Sequence, residues 1–424
     1  MREKLLIILR VALGGVLVGL IISLFQYLTE LVIHLGAYLA SSSVTSFIIL
    51  YLAGLIIYAI LFFINRRNPG HYGSGIPQLE AQYDGIYQVN PFKMLPLIFI
   101  NSLYSFFIGL PLGAEGPSIT ISSSIGLILN KLFKVDDNTL AMACGSSGFA
   151  CAFSNPIAGI CHLIEENKKD LSLGFIIKGI AVLAIAYLIN YFIIDETLLP
   201  YFSLKPMPPL YYLYLILVIG FVLLISKAYS ISILWLKGLS RNNRLVFYLT
   251  PLLIILFITL RRFMPLLTGS GLSLLKLDTM DYLLIAILSF LMFRVLTTAL
   301  AVSSSVSGGI VLPMLCMGGL VGLATVKLIG KWDSNILEYS EIFMLVGMFS
   351  FLGVLTRCPF TALALGLGCG SLNALALPLI LTIAITFIAS HFLKYNSIYY
   401  DLKNLFLKGI SDDPLNHIAN DEII

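Results

Sequence analysis

Residues 71–80 read HYGSGIPQLE: two glycines flank a serine and a proline closes the turn, directly after an apolar run that ends in Arg66 and Arg67. Proline suits the first turn of a helix, where its missing N–H would be unpaired anyway, so Pro77 predicts a helix start. The unpaired N–H groups of such a start make a partly positive site suited to an anion. Gly73 and Gly75 let the backbone come close, and the Ser74 hydroxyl adds a donor.

The surroundings of this turn place it in a membrane. Of the 424 residues, 58% are hydrophobic and only 11% are charged, against roughly one quarter charged in soluble domains. The runs 46–64 and 94–112 are each about as long as the ~20 residues a helix needs to cross the hydrocarbon core. Similar runs recur at 210–226 and 374–392. The N-terminal apolar stretch continues past Phe25 without a small-residue cleavage site, which predicts a first span rather than a removable signal. Arg2, Lys4, Arg66, Arg67, Lys168 and Lys169 flank apolar segments, and the positive-inside rule assigns those flanks to the cytoplasm. A net charge of +4 points to no nucleic-acid partner. Cys144, Cys151, Cys161, Cys316, Cys358 and Cys369 all fall in apolar segments without a CxxC pair, so they read as structural thiols, and no metal site is expected. The tail at 408–424, read as cytoplasmic, is too short for a regulatory domain.

The turn also has an echo. GSGIPQL at 73–79 is matched by GSGLSLL at 269–275, each after an apolar run ending in paired arginines, the second pair being Arg261 and Arg262. About forty residues later come GAEGP at 113–117 and GGIVLP at 308–313. GSSGFACAFSNPIAGI at 145–160 and GMFSFLGVLTRCPFTAL at 347–363 follow in the same order. Three ordered matches predict an internal duplication, with halves at 1–200 and 201–407 joined by the polar, proline-rich DETLLPYFSLKPMPP. If each half crosses the membrane an odd number of times, the second is inverted. Stretches such as 117–129 are shorter than a span and broken by Gly, Ser and Pro, which membranes tolerate only where the backbone is buried in protein or lines a wet cavity. A single GxG is more often a helix break or a close-packing point; the ordered repetition favours an anion site. In GGIVLP, the amides of Ile310 and Val311 would supply donors from the second half.

Glu115 sits just before Pro117, at the start of the helix which that proline predicts, between uncharged segments. Acidic groups at membrane depth are rare and usually functional. Its ionised carboxylate would occupy the anion site and would leave it on protonation or when a mobile anion displaces it. That competition couples protons to anions. An N-terminal cap at a surface turn is the plainer reading of such a glutamate, and the uncharged flanks weigh against it. Glu165 and Glu166 end an apolar run before Asn167, as acidic residues at a membrane edge ordinarily do. His162, four residues before Glu166, would share its face and hydrogen-bond with it, as a structural neighbour.

Together GSGIP, GAEGP, GGIVLP and the late tyrosine in NSIYYDL resemble, in order and spacing, the CLC family of chloride channels and chloride/proton antiporters, over nearly the whole chain. The resemblance implies an all-α polytopic membrane protein, an inverted-topology repeat of tilted and broken helices, forming a homodimer with one pore per subunit. It implies a central chloride ion, bound as substrate, held by Ser74, Tyr399 and the amides of Ile310 and Val311. Glu115 would be the gating glutamate and Glu166 the internal proton glutamate. Two positions depart from the family pattern: Ala114 stands where a basic residue is common, which weakens the positive potential near the outer anion path, and Val311 replaces an aromatic. The expected function is a prokaryotic-type antiporter of the cell membrane that exchanges chloride for protons, with no cofactor and no Walker motif for ATP. The alternatives are a passive chloride channel, against which Glu166 argues, and a fluoride/proton antiporter, against which Ser74 argues. An organic-solute transporter with broken helices and a membrane protein that transports nothing are readings from other classes.

Overall fold

The computed structural model describes residues 2–68, 70–135, 137–166, 171–194, 197–240, 243–276 and 283–411. Lys168, Lys169, the first two residues of the predicted join and the tail beyond 411 lie outside these residues. The described chain is built from helices: α1 (Arg2–Ser41), α2 (Val44–Arg66), α3 (Ile76–Tyr83), α4 (Pro91–Ile108), α5 (Glu115–Phe133), α6 (Thr139–Phe153), α7 (Pro156–Glu166) and α8 (Leu173–Ile193) come first. There follow α9 (Leu215–Leu239), α10 (Asn243–Phe263), α11 (Leu272–Lys276), α12 (Leu284–Ser303), α13 (Val311–Ile329), α14 (Ser340–Thr356), α15 (Pro359–Leu367), α16 (Leu372–Phe392) and α17 (Ile398–Ser411). Among the described residues nine helical segments are long and apolar enough to cross a membrane, so the chain is a multi-pass membrane protein.

The expected spans are found with shifted ends. The run at 210–226 is the first part of a longer segment, Pro209–Leu239. The N-terminal span continues to Ser41, and its 40 residues make a helix of about 60 Å at 1.5 Å per residue, twice the hydrocarbon thickness. Such a helix must tilt or project beyond the bilayer.

The shorter elements α3, α7 and α15, of 8, 11 and 9 residues, are the broken helices. Helices α7 and α15 pack on each other, and α3 packs on α17 and α5. The serine-rich α5 is buried along almost its whole length. Ser118 and Ser124 of α5 donate back to the carbonyls of Ala114 and Thr120, which satisfies hydroxyls that lipid could not.

Two pairings form the centre, α5 with α6 and α13 with α14. In the second, Gly318 and Gly347 meet so closely that a Cβ on Gly347 would lie 2.3 Å from Gly318 O. In the first, a Cβ on Gly126 would lie 2.5 Å from Ala141 Cα. Close backbone approach through small residues is how helices associate where lipid offers no hydrophobic drive. Around the centre, α1, α2, α8, α9, α12 and α16 present large apolar side chains outward, such as Leu20, Ile56, Phe192, Leu224, Met292 and Ile388. The polar exceptions inside are tied off: Arg261 donates to the carbonyls of Ile33, Phe106 and Phe107, closing the C-terminal end of α4. Asn65 and Asn101 pair with each other. The six cysteines are free thiols, five of them buried, in keeping with the structural reading.

Candidate functional site

Three helix starts converge because their turns are bonded to one another. Gly75 caps α3 with φ at +79°, the left-handed region that glycine adopts at least cost. A Cβ there would also lie 2.3 Å from Thr120 Cγ2, so no side chain fits. Thr120 Oγ1 of α5 donates to Ser74 O at 2.8 Å, and Gly73 N donates to Ser307 Oγ at 3.0 Å. The turns before α5 and α13 are joined reciprocally: Gly113 N donates to Gly309 O at 2.8 Å, and Gly309 N to Gly113 O at 2.7 Å. The contact leaves no room for substitution, since a Cβ on Gly309 would sit 2.7 Å from Gly116 N.

This pairing brings the donors of two helices to one place. In α13 the ladder begins with Met314 N donating to Ile310 O at 2.9 Å, and Pro313 has no N–H. The amides of Ile310, Val311 and Leu312 therefore precede the ladder without intrahelical partners. In α5 the ladder begins with Ser118 N donating to Ala114 O at 2.9 Å. Glu115 lies between these two starts. Its side chain is 0% exposed, and its polar neighbours are the backbone amides of Ala114, Glu115 and Leu312. Neither carboxyl oxygen completes a hydrogen bond of ordinary geometry with them. The acid is thus enclosed between two helix N-termini.

A cavity of about 60 Å³ opens beside the starts. Val311 lines it and so links it to α13, while Tyr399 of α17 and Glu166 of α7 form other parts of its wall. Tyr399 is 5% exposed, and its hydroxyl is buried without a hydrogen-bond partner. The structure thus brings Val311, Tyr399 and Glu166 to one cavity, and sets Ser74, Glu115 and Ile310 at the adjoining turns rather than on its wall. Helices α17 and α3 are tied by Lys403 Nζ on Asp84 Oδ2 at 2.6 Å, with Glu80 Oε2 at 3.7 Å. The two expected hydroxyl donors, Ser74 and Tyr399, therefore stand on elements held together.

Glu166 is on the exposed end of α7, where its Oε1 accepts from Cys358 Sγ at 3.4 Å. Two expectations for its neighbours are corrected. Glu165 is more than an acid at a membrane edge: it accepts from Phe360 N and Thr361 N, each at 2.8 Å, and from Thr361 Oγ1. It caps α15 from another element. His162 does not pair with Glu166; its Nδ1 lies 3.0 Å from Ser146 Oγ, and its ring stacks on Phe149 with centroids 4.6 Å apart. Ser307, Thr120, Ser146 and Cys358 are site residues the sequence reading missed. Ser307 stood directly before the Gly308–Gly309 pair and so adjoined a recognised turn, whereas Cys358 was read only as a structural thiol. Thr120 and Ser146 carried no local signal. Among the described residues no cluster of His, Cys, Asp or Glu could hold a metal ion.

Residues 53–391 match the family described as voltage gated chloride channel. The chain is 30% identical over 418 residues to the H(+)/Cl(-) exchange transporter ClcA of Vibrio cholerae serotype O1 (strain M66-2), covering 94% of this chain and 89% of that one. It is 29% identical over 429 residues to the transporter of the same name in Vibrio parahaemolyticus serotype O3:K6, covering 95% and 90%. Its fold superposes on a slow cyanobacterial Cl-/H+ antiporter with a TM-score of 0.85 at 21% identity, covering 95% of this chain and 98% of the other. A CLC-type fluoride/proton antiporter superposes with a TM-score of 0.76 at 17% identity, over 95% and 98%.

Proposed function

Because the chain belongs to the voltage gated chloride channel family, we propose that it is a secondary active antiporter exchanging chloride for protons across the membrane. The observation that carries this reading is the Glu115 carboxyl, buried between the starts of α5 and α13. Ionised, the carboxylate uses the amide field that a chloride ion would use. Protonated, it carries no charge to attract those amides, and chloride takes its place. Each exchange at the paired starts then requires a proton to arrive or leave.

In this reading chloride, the bound substrate, is held by Ser74 Oγ, Tyr399 Oη and the amides of Ile310 and Val311. The unpartnered, buried Tyr399 hydroxyl supports that role, since buried polar groups are rarely left unpaired. Glu166, at the exposed end of α7 and on the cavity wall, takes protons from the cytoplasm by a route separate from that of the anion. No cofactor takes part. We further read 1–200 and 201–407 as the two halves of an inverted repeat, 408–424 as a cytoplasmic tail, and the working unit as a homodimer in the cell membrane. The matched helix pairs α5–α6 and α13–α14 support the halves. The large apolar side chains on the outer helices would be covered by lipid or by a second copy.

The test is flux in purified form. Protein reconstituted in liposomes, with chloride and pH electrodes recording together, should drive protons uphill when given a chloride gradient alone. Chloride flux that never moves protons against their gradient would make it a channel, and no chloride flux would remove the reading.

A further inference from the structure

The proposed route leaves a gap. Glu166 lines the cavity, whereas Glu115 is enclosed at the helix starts and does not, so a proton must be carried between them. The cavity, about 60 Å³, is large enough for several waters at ~10–15 Å³ of probe volume each. Among the described residues of its wall, His162 carries the one imidazole. We propose that His162 is a station on the proton route, receiving protons that leave Glu166 and passing them on toward Glu115. The inference rests on the antiport reading above, and it revises the structural role that sequence reading gave this residue.

The geometry fits a carrier. Imidazole is the side chain that changes charge between pH 5 and 8. Nδ1 is committed to Ser146 Oγ at 3.0 Å, and the stack on Phe149 holds the ring plane. Among the described residues Nε2 has no hydrogen-bond partner, and His162 lines the cavity, so in this proposal Nε2 meets the water that fills it. A proton lost by the Glu166 carboxyl moves through that water to Nε2 of the neutral ring, giving an imidazolium in which Nδ1–H donates to Ser146 Oγ. Nε2 then returns one proton to the water on the Tyr399 and Val311 side, and the neutral ring is restored. Glu80 and Tyr83 of α3, Glu166 of α7, Cys358 before α15 and Tyr399 of α17 are the other titratable groups on the wall. The faces contributed by α5, α6, α13 and α14 carry none. Burial favours the neutral ring of His162, and the charge of Glu166 opposes that, so the ring rests neutral between transfers and the two groups pass one proton rather than hold two.

A purely structural histidine would be replaceable by a side chain that packs and hydrogen-bonds alike. His162→Gln keeps a hydrogen-bonding group near Ser146 but cannot take up a proton at neutral pH. In liposomes with paired electrodes, we expect its proton-to-chloride flux ratio to fall at least about tenfold, in the range of lost proton-transfer groups. Cys161→Ser, one residue away and outside the route, should match wild type. Ser146→Ala keeps the ring and removes its partner, and should move the midpoint of the proton-flux pH profile by about half a unit, the size of one modest hydrogen bond. A His162→Gln ratio equal to wild type at every pH, an equal loss in Cys161→Ser, or an unmoved profile in Ser146→Ala would each overturn the proposal. A wild-type protein that pumps no protons would instead remove the antiport reading beneath it.

Discussion

A carboxyl group whose two oxygens are buried and unpaired is held by the chain around it rather than by its own bonds. For Glu115 that chain is a pair of glycine turns locked by reciprocal bonds of 2.8 and 2.7 Å. Those turns are held by their own bonds whether or not the side chain lies between them. Tyr399 is its counterpart at the residue scale, a buried hydroxyl with no hydrogen-bond partner among the described residues, which the proposed function makes a chloride donor. Removing a donor from a buried charged acceptor costs roughly 1.5–3 kcal/mol. Tyr399→Phe should accordingly weaken chloride binding by roughly tenfold or more, read by calorimetry. Unchanged affinity would mean that the tyrosine is not a ligand.

At the scale of elements, the site depends on short helices docked end to side. Glu165 of α7 caps α15 through two backbone amides and a hydroxyl, and that docking sets Cys358 against Glu166. Loss of a cap costs about 1 kcal/mol. Glu165→Ala should lower the unfolding midpoint and should also slow proton flux, because Glu166 loses its register. Glu30→Gln, exposed beside His34, should do neither. A Glu165→Ala protein with wild-type midpoint and proton flux would reduce the cap to a bystander. The starts of α3 and α5 were legible in the sequence because proline and glycine act locally: Pro77 and Pro117 fell in the first turns expected of them. Glu115 was legible as a lone acid among apolar segments. The cap by Glu165 was not, because it joins residues 195 and 196 positions apart, and no local pattern reports such a contact. His162 was misassigned to Glu166 for a related reason. Helical spacing offered one neighbour, and packing against α6 supplied another.

For the whole molecule, the bilayer fixes which parts could be read. Long apolar runs announced themselves as spans, whereas their ends moved: the runs at 94–112 and 210–226 lie in the helical segments Pro91–Ile108 and Pro209–Leu239, whose starts and stops composition alone does not mark. The central pairs α5–α6 and α13–α14 are packed by small residues; α13 and α14 are apolar enough to count as candidate spans, whereas α5, rich in serine, is not. In the proposed mechanism a carboxylate held at the paired starts of α5 and α13 competes with chloride, and so couples it to protons. The most direct test compares wild type with Glu115→Gln in liposomes, recording chloride and protons together across a range of pH. The amide is nearly isosteric with the protonated acid but neither ionises nor releases a proton, so the variant should pass chloride without moving protons and without the wild type's dependence on pH. Uphill proton movement in Glu115→Gln, with the pH dependence of wild type intact, would contradict it.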